Sequence, residues 1–265
     1  MRRPIHLFAC LFIIACGQSS DYGGSGVTFE SPGTKLVVSP LMFQTGVEPT
    51  VTPSLAIAFE ETMAPLNLKL ITTATNGAVA TNLQWMPIGP QDKQLGFVSK
   101  SALVPAAPLA HGWYTMQFNA VADVFLLAGE GPTLEKNVYA SYFHVGELPL
   151  VIAAEACSDG KGNLSISEAI TVPLDNIPIA AIVDGKPLSC QRTNALTDSG
   201  YTTIYFQCDK TPAPPTAVRV SSGLTSASGM PVQNLKGQTS FDVALAPLAG
   251  DNDCLHWNQT QAPTP

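Results

Sequence analysis

The chain has 265 residues, of which only 12% are charged, and its formal net charge is −7. With no basic cluster after Arg3, it lacks the electrostatic footprint of a nucleic-acid-binding protein. Apolar residues make up 45% of the chain, enough for a packed core, and 21 glycines with 22 prolines predict many turns. Beyond the N-terminal segment no run of about eighteen apolar residues occurs, so no membrane-spanning helix is predicted.

Residues 1–15 predict a secretory signal peptide, because two arginines precede an apolar stretch that is too short to span a bilayer stably. The stretch ends in Ile13-Ile14-Ala15-Cys16, which resembles the bacterial lipobox, where the cysteine receives a diacylglycerol before cleavage. An ordinary cleavage site is the alternative, but it requires a small residue at the position of Ile13. The resemblance implies that Cys16 is the acylated first residue of the mature chain and anchors it in a membrane.

A tether and a β-rich segment follow. Residues 16–33 are rich in glycine and serine and have no apolar face to bury, so we expect a flexible tether. Over residues 34–146 apolar residues alternate with polar or small ones, as in Leu55, Ile57 and Phe59, and prolines separate the alternating runs. This period of two predicts half-buried strands, and short strands joined by turns favour a β-sandwich.

Three motifs in this segment resemble the bacterial immunoglobulin-like domains of the S-layer-protein (SbsA) type. Residues 57–65, Ile-Ala-Phe-Glu-Glu-Thr-Met-Ala-Pro, match the early strand and turn of that family. Residues 103–116 are similar to the segment that leads into its late strand, and residues 142–146 to its closing strand. The chain departs from the family at residues 121–127, where we expect a loop with one short turn. The resemblance implies an immunoglobulin-like sandwich and brings no catalytic residues.

A second domain of the same kind is expected over residues 150–257, after a short joint at residues 147–149. In looser form it repeats the order of the first, with residues 170–175 standing where residues 57–65 stood. Two β-rich segments also align in this way by chance, so the repeat is a hypothesis. Residues 258–265 are expected to form a flexible tail. The predicted fold class is all-β, with two tandem immunoglobulin-like β-sandwich domains after a signal peptide and a tether.

All four cysteines that follow Cys16 lie in the second domain: Cys157, Cys190, Cys208 and Cys254. In an exported chain an even number of cysteines indicates disulfides, and four cysteines allow three pairings. Pairing Cys190 with Cys208 and Cys157 with Cys254 is the simplest solution, since strands predicted at residues 177–183 and 202–207 would bring the inner two together. Zinc ligation is the alternative, but cysteines that are not in a C-x-x-C pair suit zinc poorly.

No catalytic constellation is visible. His111, His144 and His256 are isolated, and neither an H-E-x-x-H motif nor a G-x-S-x-G elbow is present. The adjacent carboxylates of Glu60 and Glu61 would point to opposite faces of a strand and could not share a proton. A cluster of His144 or His256 with two carboxylates in a cleft would reopen the possibility of an enzyme.

Two acidic turns and the tryptophans are the remaining candidates for binding. Residues 158–163 and 250–253 offer oxygen donors, but Lys161 stands where a calcium loop needs a carboxylate, so solvated turns are favoured. The tryptophans are far apart in sequence, and core packing or a domain rim explains them: Trp85, Trp113 and Trp257. No metal or cofactor is predicted.

The sequence therefore favours a non-catalytic lipoprotein of the bacterial cell envelope, anchored through Cys16. A glycine rather than an aspartate follows this cysteine, which in that lipoprotein class suits sorting to the outer membrane. We expect a structural or protein-interaction module whose partner is an envelope protein. The alternative is a glycan-binding or adhesive surface lipoprotein, and an enzyme is the least favoured class.

Overall fold

The structure is a computed structural model that describes residues 27–31, 34–59, 66–94, 96–97, 99–124, 133–173, 176–198, 200–248, 250–259, 261 and 263. The predicted signal peptide and Cys16 lie outside these residues. The described elements are almost entirely β-strands, which confirms the all-β prediction. None of the described helices has the length and apolar character needed to cross a membrane.

The first half of the described chain contains ten strands and one short helix: β1 (Val27–Ser31), β2 (Thr34–Ser39), β3 (Gln44–Val47), β4 (Ser54–Phe59), β5 (Leu66–Thr72), β6 (Gly77–Ala78), β7 (Thr81–Trp85), α1 (Pro90–Gln94), β8 (Ser99–Pro105), β9 (Gly112–Val124) and β10 (Thr133–Val145). They form two five-stranded sheets, with the orders β1-β2-β4-β8-β7 and β3-β10-β9-β5-β6. Strand β3 pairs parallel with β10, and the other pairs are antiparallel.

The core of this half lies between its two sheets. Side chains from both sheets are at most 1% exposed and share one cluster: Val38, Leu55 and Leu103 from one sheet, and Leu70, Met116 and Phe143 from the other. Because successive strand residues point to opposite faces, the period-two pattern puts these side chains on the facing sides of the sheets. Two sheets packed in this way form a β-sandwich.

The second half contains twelve strands: β11 (Val151–Cys157), β12 (Lys161–Ile166), β13 (Ile170–Thr171), β14 (Ile179–Val183), β15 (Lys186–Ser189), β16 (Gln191–Asp198), β17 (Tyr201–Gln207), β18 (Ala217–Val220), β19 (Thr225–Ser226), β20 (Phe241–Ala244), β21 (Ala246–Pro247) and β22 (Cys254–Asn258). A six-stranded sheet has the order β16-β17-β12-β11-β22-β21, and a four-stranded one β15-β14-β18-β20. Strands β13 and β19 form a separate pair.

The second core again lies between the larger sheets. Its most buried members come from both: Leu164, Ile204 and Phe206 from the six-stranded sheet, and Ala181, Val218 and Val220 from the four-stranded one. Gly162 in β12 leaves room for the Phe206 ring, since a Cβ at this position would lie 2.3 Å from that ring. The β14–β15 hairpin turns at Asp184 and Gly185, whose φ values of 49° and 75° are those of a type I′ turn.

Two disulfides join strands of the six-stranded sheet. Cys157–Cys254 links β11 to β22 across 97 residues, and Cys190–Cys208 closes the β16–β17 pair across 18 residues. The Cys190–Cys208 bridge (the inner one) thus lies within the stretch of chain that the Cys157–Cys254 bridge (the outer one) closes. The strand that brings Cys190 to Cys208 is β16, where Gln191 lies opposite Gln207, and not the strand predicted at residues 177–183.

Three details of the sequence-based prediction differ. Within the predicted tether at residues 16–33, residues 27–31 form β1, which pairs antiparallel with β2. Residues 121–124 extend β9 instead of forming a loop, because each pairs in register with β10, between Lys136 and Thr133. The strand expected to mirror β4, at residues 170–175, begins with β13, which belongs to the separate two-stranded sheet. The halves therefore do not share one strand order.

Candidate functional site

The two halves meet at an apolar cluster, here called the junction cluster. Its buried members are Met42 and Phe43, which precede β3, and Leu150 and Ile152 around the start of β11. Four partly buried side chains pack against them: Trp113, Tyr142, Leu148 and Tyr201. Fully burying one large apolar side chain contributes about 1.5–3 kcal/mol, so this cluster opposes separation of the halves.

The turn that carries Met42 and Phe43 is held from both halves. Phe43 has a φ of 59°, which is unusual for an aromatic residue. Its N–H donates to the Tyr142 carbonyl at 2.6 Å, and the two rings stack with their centroids 5.9 Å apart. From the second half, the Tyr201 hydroxyl donates to the Met42 carbonyl at 2.6 Å. Burial raises the pKa of Tyr201 well above its ordinary value, so this hydroxyl remains a donor.

A buried chain of hydrogen bonds crosses the junction beside the apolar cluster. Thr45 Oγ1 lies 2.6 Å from both Glu168 Oε1 and Ser167 Oγ. Since the single Thr45 hydroxyl proton is donated to the carboxylate, the Ser167 hydroxyl donates to Thr45. The Leu150 N–H then donates to Ser167 Oγ at 2.9 Å, and the Leu148 N–H donates to Glu168 Oε1 at 2.5 Å. Every donor in this chain therefore has an acceptor, and the chain ties β3 to the joint and to the second half.

Gly46 lets β3 approach Glu168 closely. Its φ is +68°, and a Cβ at this position would lie 3.1 Å from Glu168 Cδ. The Gly46 N–H donates to the Gly146 carbonyl at 3.0 Å, while the Gly146 N–H donates to the Val47 carbonyl at 2.9 Å. A side chain at residue 46 would push the strand away from the carboxyl that Thr45 contacts.

Glu168 is the most buried carboxyl that the structure describes at the junction, with 6% of the residue exposed. Burial raises the pKa of Glu168 above its ordinary value, and the nearby carboxylate of Glu147 raises it further. The hydrogen bonds from Thr45 and Leu148 act in the opposite direction. The folded protein therefore holds the Glu168 proton to higher pH than the unfolded chain does.

This raised pKa predicts that the contribution of Glu168 to stability is greatest in acid. The contribution is complete below the unfolded pKa near 4.5 and is lost as pH rises through the higher folded pKa. Glu168→Gln keeps an oxygen that can accept from Thr45 and Leu148 and removes the charge, so we expect this variant to gain stability relative to the wild type as pH rises from 4.5. Urea unfolding at a series of pH values measures the difference, and a constant difference would contradict the prediction.

A shallow groove of about 170 Å³ opens beside the junction cluster. Trp113, Leu148 and Leu150 line one part of it, and residues 233–235, Gly237 and the buried Pro263 line another. Within the stretch predicted to be a flexible tail, the Gln259 N–H donates to the Ile152 carbonyl at 2.8 Å. The described residues of the C-terminal segment thus contact the same region of the molecule.

A second polar cluster places His256 between two carboxylates on the six-stranded sheet. His256 Nδ1 lies 3.0 Å from Glu155 Oε2 on the neighbouring strand, and Nε2 lies 3.1 Å from Asp251 Oδ2. The hydrogen bond from His256 lowers the pKa of Asp251. The Nε2–Asp251 contact is a hydrogen bond, whereas the Nδ1–Glu155 contact is an ion pair only when the ring is protonated. In a catalytic triad one ring nitrogen faces a nucleophile, but here a carboxylate occupies each side.

The carboxylates of the two acidic turns, at residues 158–163 and 250–253, bind groups of their own turns. Asp159 accepts from the Lys161 N–H at 3.0 Å and forms an ion pair with the Lys161 Nζ at 2.9 Å. Asp251 accepts from the N–H groups of Asp253 and Cys254. Glu155 lies near two cysteine sulfurs, but these sulfurs are bonded to each other and cannot serve as thiolate ligands. These contacts stabilise the turns. Few carboxylate oxygens therefore remain that point toward one position, as a bound cation would require.

The remaining sequence candidates have separate environments. His144 packs edge-on against the Trp113 ring at 5.2 Å, and burial lowers its pKa. Trp257 packs against the second core, whereas Trp85 is 59% exposed at the end of β7. Of the residues that sequence reasoning singled out, the fold brings together the two cysteine pairs. It also places His256, which follows Cys254 of the outer disulfide by two residues, beside Asp251.

The junction residues Thr45, Ser167 and Glu168 carry no sequence motif. A serine and a glutamate at residues 167–168 read as a polar turn, and only contacts between residues more than one hundred positions apart reveal their role. The one available signal is Gly46 inside a strand pattern, which indicates a close approach of another group.

No protein-family model matches the chain, and no curated protein matches it significantly. Among solved structures, a match described as "The crystal structure of the conserved domain protein from Bacillus anthracis" covers 89% of this chain and 90% of that chain. The two sequences are 9% identical over the match, and the TM-score is 0.27. A TM-score this low supports no conclusion about a shared fold or function. The proposals for this chain therefore rest on its own geometry.

Proposed function

We propose that this protein is a lipid-anchored lipoprotein of the bacterial cell envelope that acts as a non-catalytic structural or protein-interaction module. In this proposal its two sandwiches are tandem immunoglobulin-like domains, presented at a fixed mutual angle outside the cytoplasm. The observation that carries it is the junction, where buried apolar side chains and the Thr45–Glu168 hydrogen-bond chain join the halves. A joint of this kind suits a spacer that must hold its shape.

Two further features support the proposal. Disulfides persist in oxidising compartments, and both bridges lie in the half that follows the junction. The His256 cluster has carboxylates on both ring nitrogens, an arrangement that fixes β22 against β11 and orients no nucleophile. The lipobox-like Cys16 supplies the anchor, and the outer membrane is the proposed destination.

Replacing Cys16 with serine tests the anchor. We expect the wild type to enter the membrane fraction and to incorporate labelled palmitate, because two or three acyl chains hold a protein firmly in a bilayer. The Cys16→Ser variant should lose the label and should be soluble or unprocessed. Cys10→Ser is the matched control, since this cysteine lies inside the predicted signal peptide and should leave both properties unchanged. A labelled, membrane-bound Cys16→Ser protein would overturn the anchor.

A further inference from the structure

Strand β7 lies at a sheet edge, and four of its five residues are exposed. Among the described strands it is at the edge of its sheet, and β8 is the one strand with which it pairs. Residues 82–85 are exposed although they alternate between the two faces, and Leu83 and Trp85 are 45% and 59% exposed. Met86, which follows directly, is 39% exposed. An edge strand of a sandwich normally packs one face on the core, and β7 does not.

On the outer edge of β7 the backbone groups have no hydrogen-bond partner among the described residues. At its two ends the Met86 N–H donates to the Lys100 carbonyl, and the Ala106 N–H donates to the Ala80 carbonyl, each at 2.9 Å. Because hydrogen bonding in an antiparallel pair alternates along the strand, the even-numbered residues face β8. The alternate residues direct their N–H and C=O groups away from the sheet: Thr81, Leu83 and Trp85.

This edge also lacks the usual protection against pairing. Natural edge strands are interrupted by lysine, proline or other charges, whereas residues 70–91 contain no Asp, Glu, Lys, Arg or His, and β7 has no proline. In a protein with a net charge of −7, two copies repel each other over most of their surfaces. They can approach at this neutral strand without that repulsion.

We propose that β7 pairs with β7 of a second copy of this chain, antiparallel and centred on Leu83. The pairing deepens the proposed interaction role and does not require the lipid anchor. It would place Leu83 opposite the partner's Leu83 and Thr81 opposite the partner's Trp85, with about six backbone hydrogen bonds between the strands. Trp85 would reach the partner's Leu83 diagonally.

The size of the contact sets its strength. A single five-residue strand buries less than the roughly 1,000 Å² per interface that stable complexes need. The dimer is therefore expected to be in reversible equilibrium with the monomer, and its fraction to rise with protein concentration. Confinement of both copies to one membrane surface raises their effective concentration and shifts the equilibrium toward the dimer.

Replacing Leu83 with a positively or a negatively charged residue tests the pairing in the purified full-length protein. Sedimentation velocity over a range of concentrations should show a monomer–dimer equilibrium for the wild type. Leu83→Lys and Leu83→Glu should each weaken dimerisation about tenfold, because like charges would lie directly opposite each other. An equimolar mixture of the two variants should restore the dimer as a heterodimer.

Gln84→Lys is the matched control, since it adds the same charge to the same exposed strand away from the symmetry centre. It should weaken dimerisation clearly less than Leu83→Lys does, and urea unfolding should show that all variants are folded. A wild type that is monomeric at every concentration would overturn the proposal, as would equal effects at residues 83 and 84 or a mixture that stays monomeric. Loss of the Cys16 anchor would leave the dimer intact, so the two proposals fail separately.

Discussion

Removing the outer disulfide is expected to destabilise the second half by about 4.7 kcal/mol. Replacing Cys157 and Cys254 together with alanine frees a loop of 97 residues in the unfolded chain, and loop-closure entropy gives this value. The inner pair, Cys190 and Cys208, closes only 18 residues and should contribute roughly 3 kcal/mol. Either loss is a large fraction of the 5–15 kcal/mol that is typical of whole domains.

The two double-alanine variants are controls for each other. Alanine leaves no unpaired hydroxyl at these largely buried positions, so loop length is the main difference between them. Urea unfolding followed by tryptophan fluorescence and circular dichroism would measure both free energies. A smaller loss for the outer pair than for the inner pair would show that constraint of the unfolded chain does not dominate.

Truncating Glu168 is expected to cost about 3 kcal/mol at the junction. In Glu168→Ala the Thr45 hydroxyl and the Leu148 N–H lose a shared acceptor, and each buried unsatisfied donor costs about 1–3 kcal/mol. The loss concerns contacts between the halves, so the angle between them should become variable. Small-angle X-ray scattering and urea unfolding at constant pH would record the flexibility and the free energy.

Glu147→Ala is the matched control for this truncation. Glu147 is an exposed carboxyl of the same junction that accepts hydrogen bonds from the hydroxyls of Ser226 and Ser228. Exposed substitutions of this kind usually change stability by less than about 0.5 kcal/mol. Equal losses for Glu147→Ala and Glu168→Ala would mean that burial of Glu168 has no special part in joining the halves.

If both Glu168→Ala and the β7 variants behave as expected, the protein is a spacer with a fixed internal angle and one self-complementary edge. The junction and the edge are independent, since Glu168 lies between the halves whereas β7 is the outer strand of the first sandwich. If the anchor proposal also holds, such a module would form pairs on a membrane surface.

Several features could be predicted from residues alone. Leu55 and Met116 lie in alternating patterns, and their strands pack into one core because period two fixes which side chains share a face. The presence of two disulfides was predicted from an even cysteine count, although the count itself allows three pairings.

Other features depended on contacts between distant residues. The strand that carries Cys190 to Cys208 and the extension of β9 over residues 121–124 were misassigned, because pairing with a neighbouring strand overrides weak local preference. The partners of Glu168 and the two carboxylates around His256 have no local signature, and their positions follow from register and from the packing of the halves.

Local sequence thus determined the secondary-structure class, the presence of disulfides and the uncharged character of residues 70–91, because each depends on residue type and local pattern. Only the tertiary structure decided which carboxyl is buried at the junction and which neutral strand is left at an edge. Burial and edge position are properties of the packed chain, and Thr45 and Glu168, more than one hundred positions apart, must meet before the burial of Glu168 is defined.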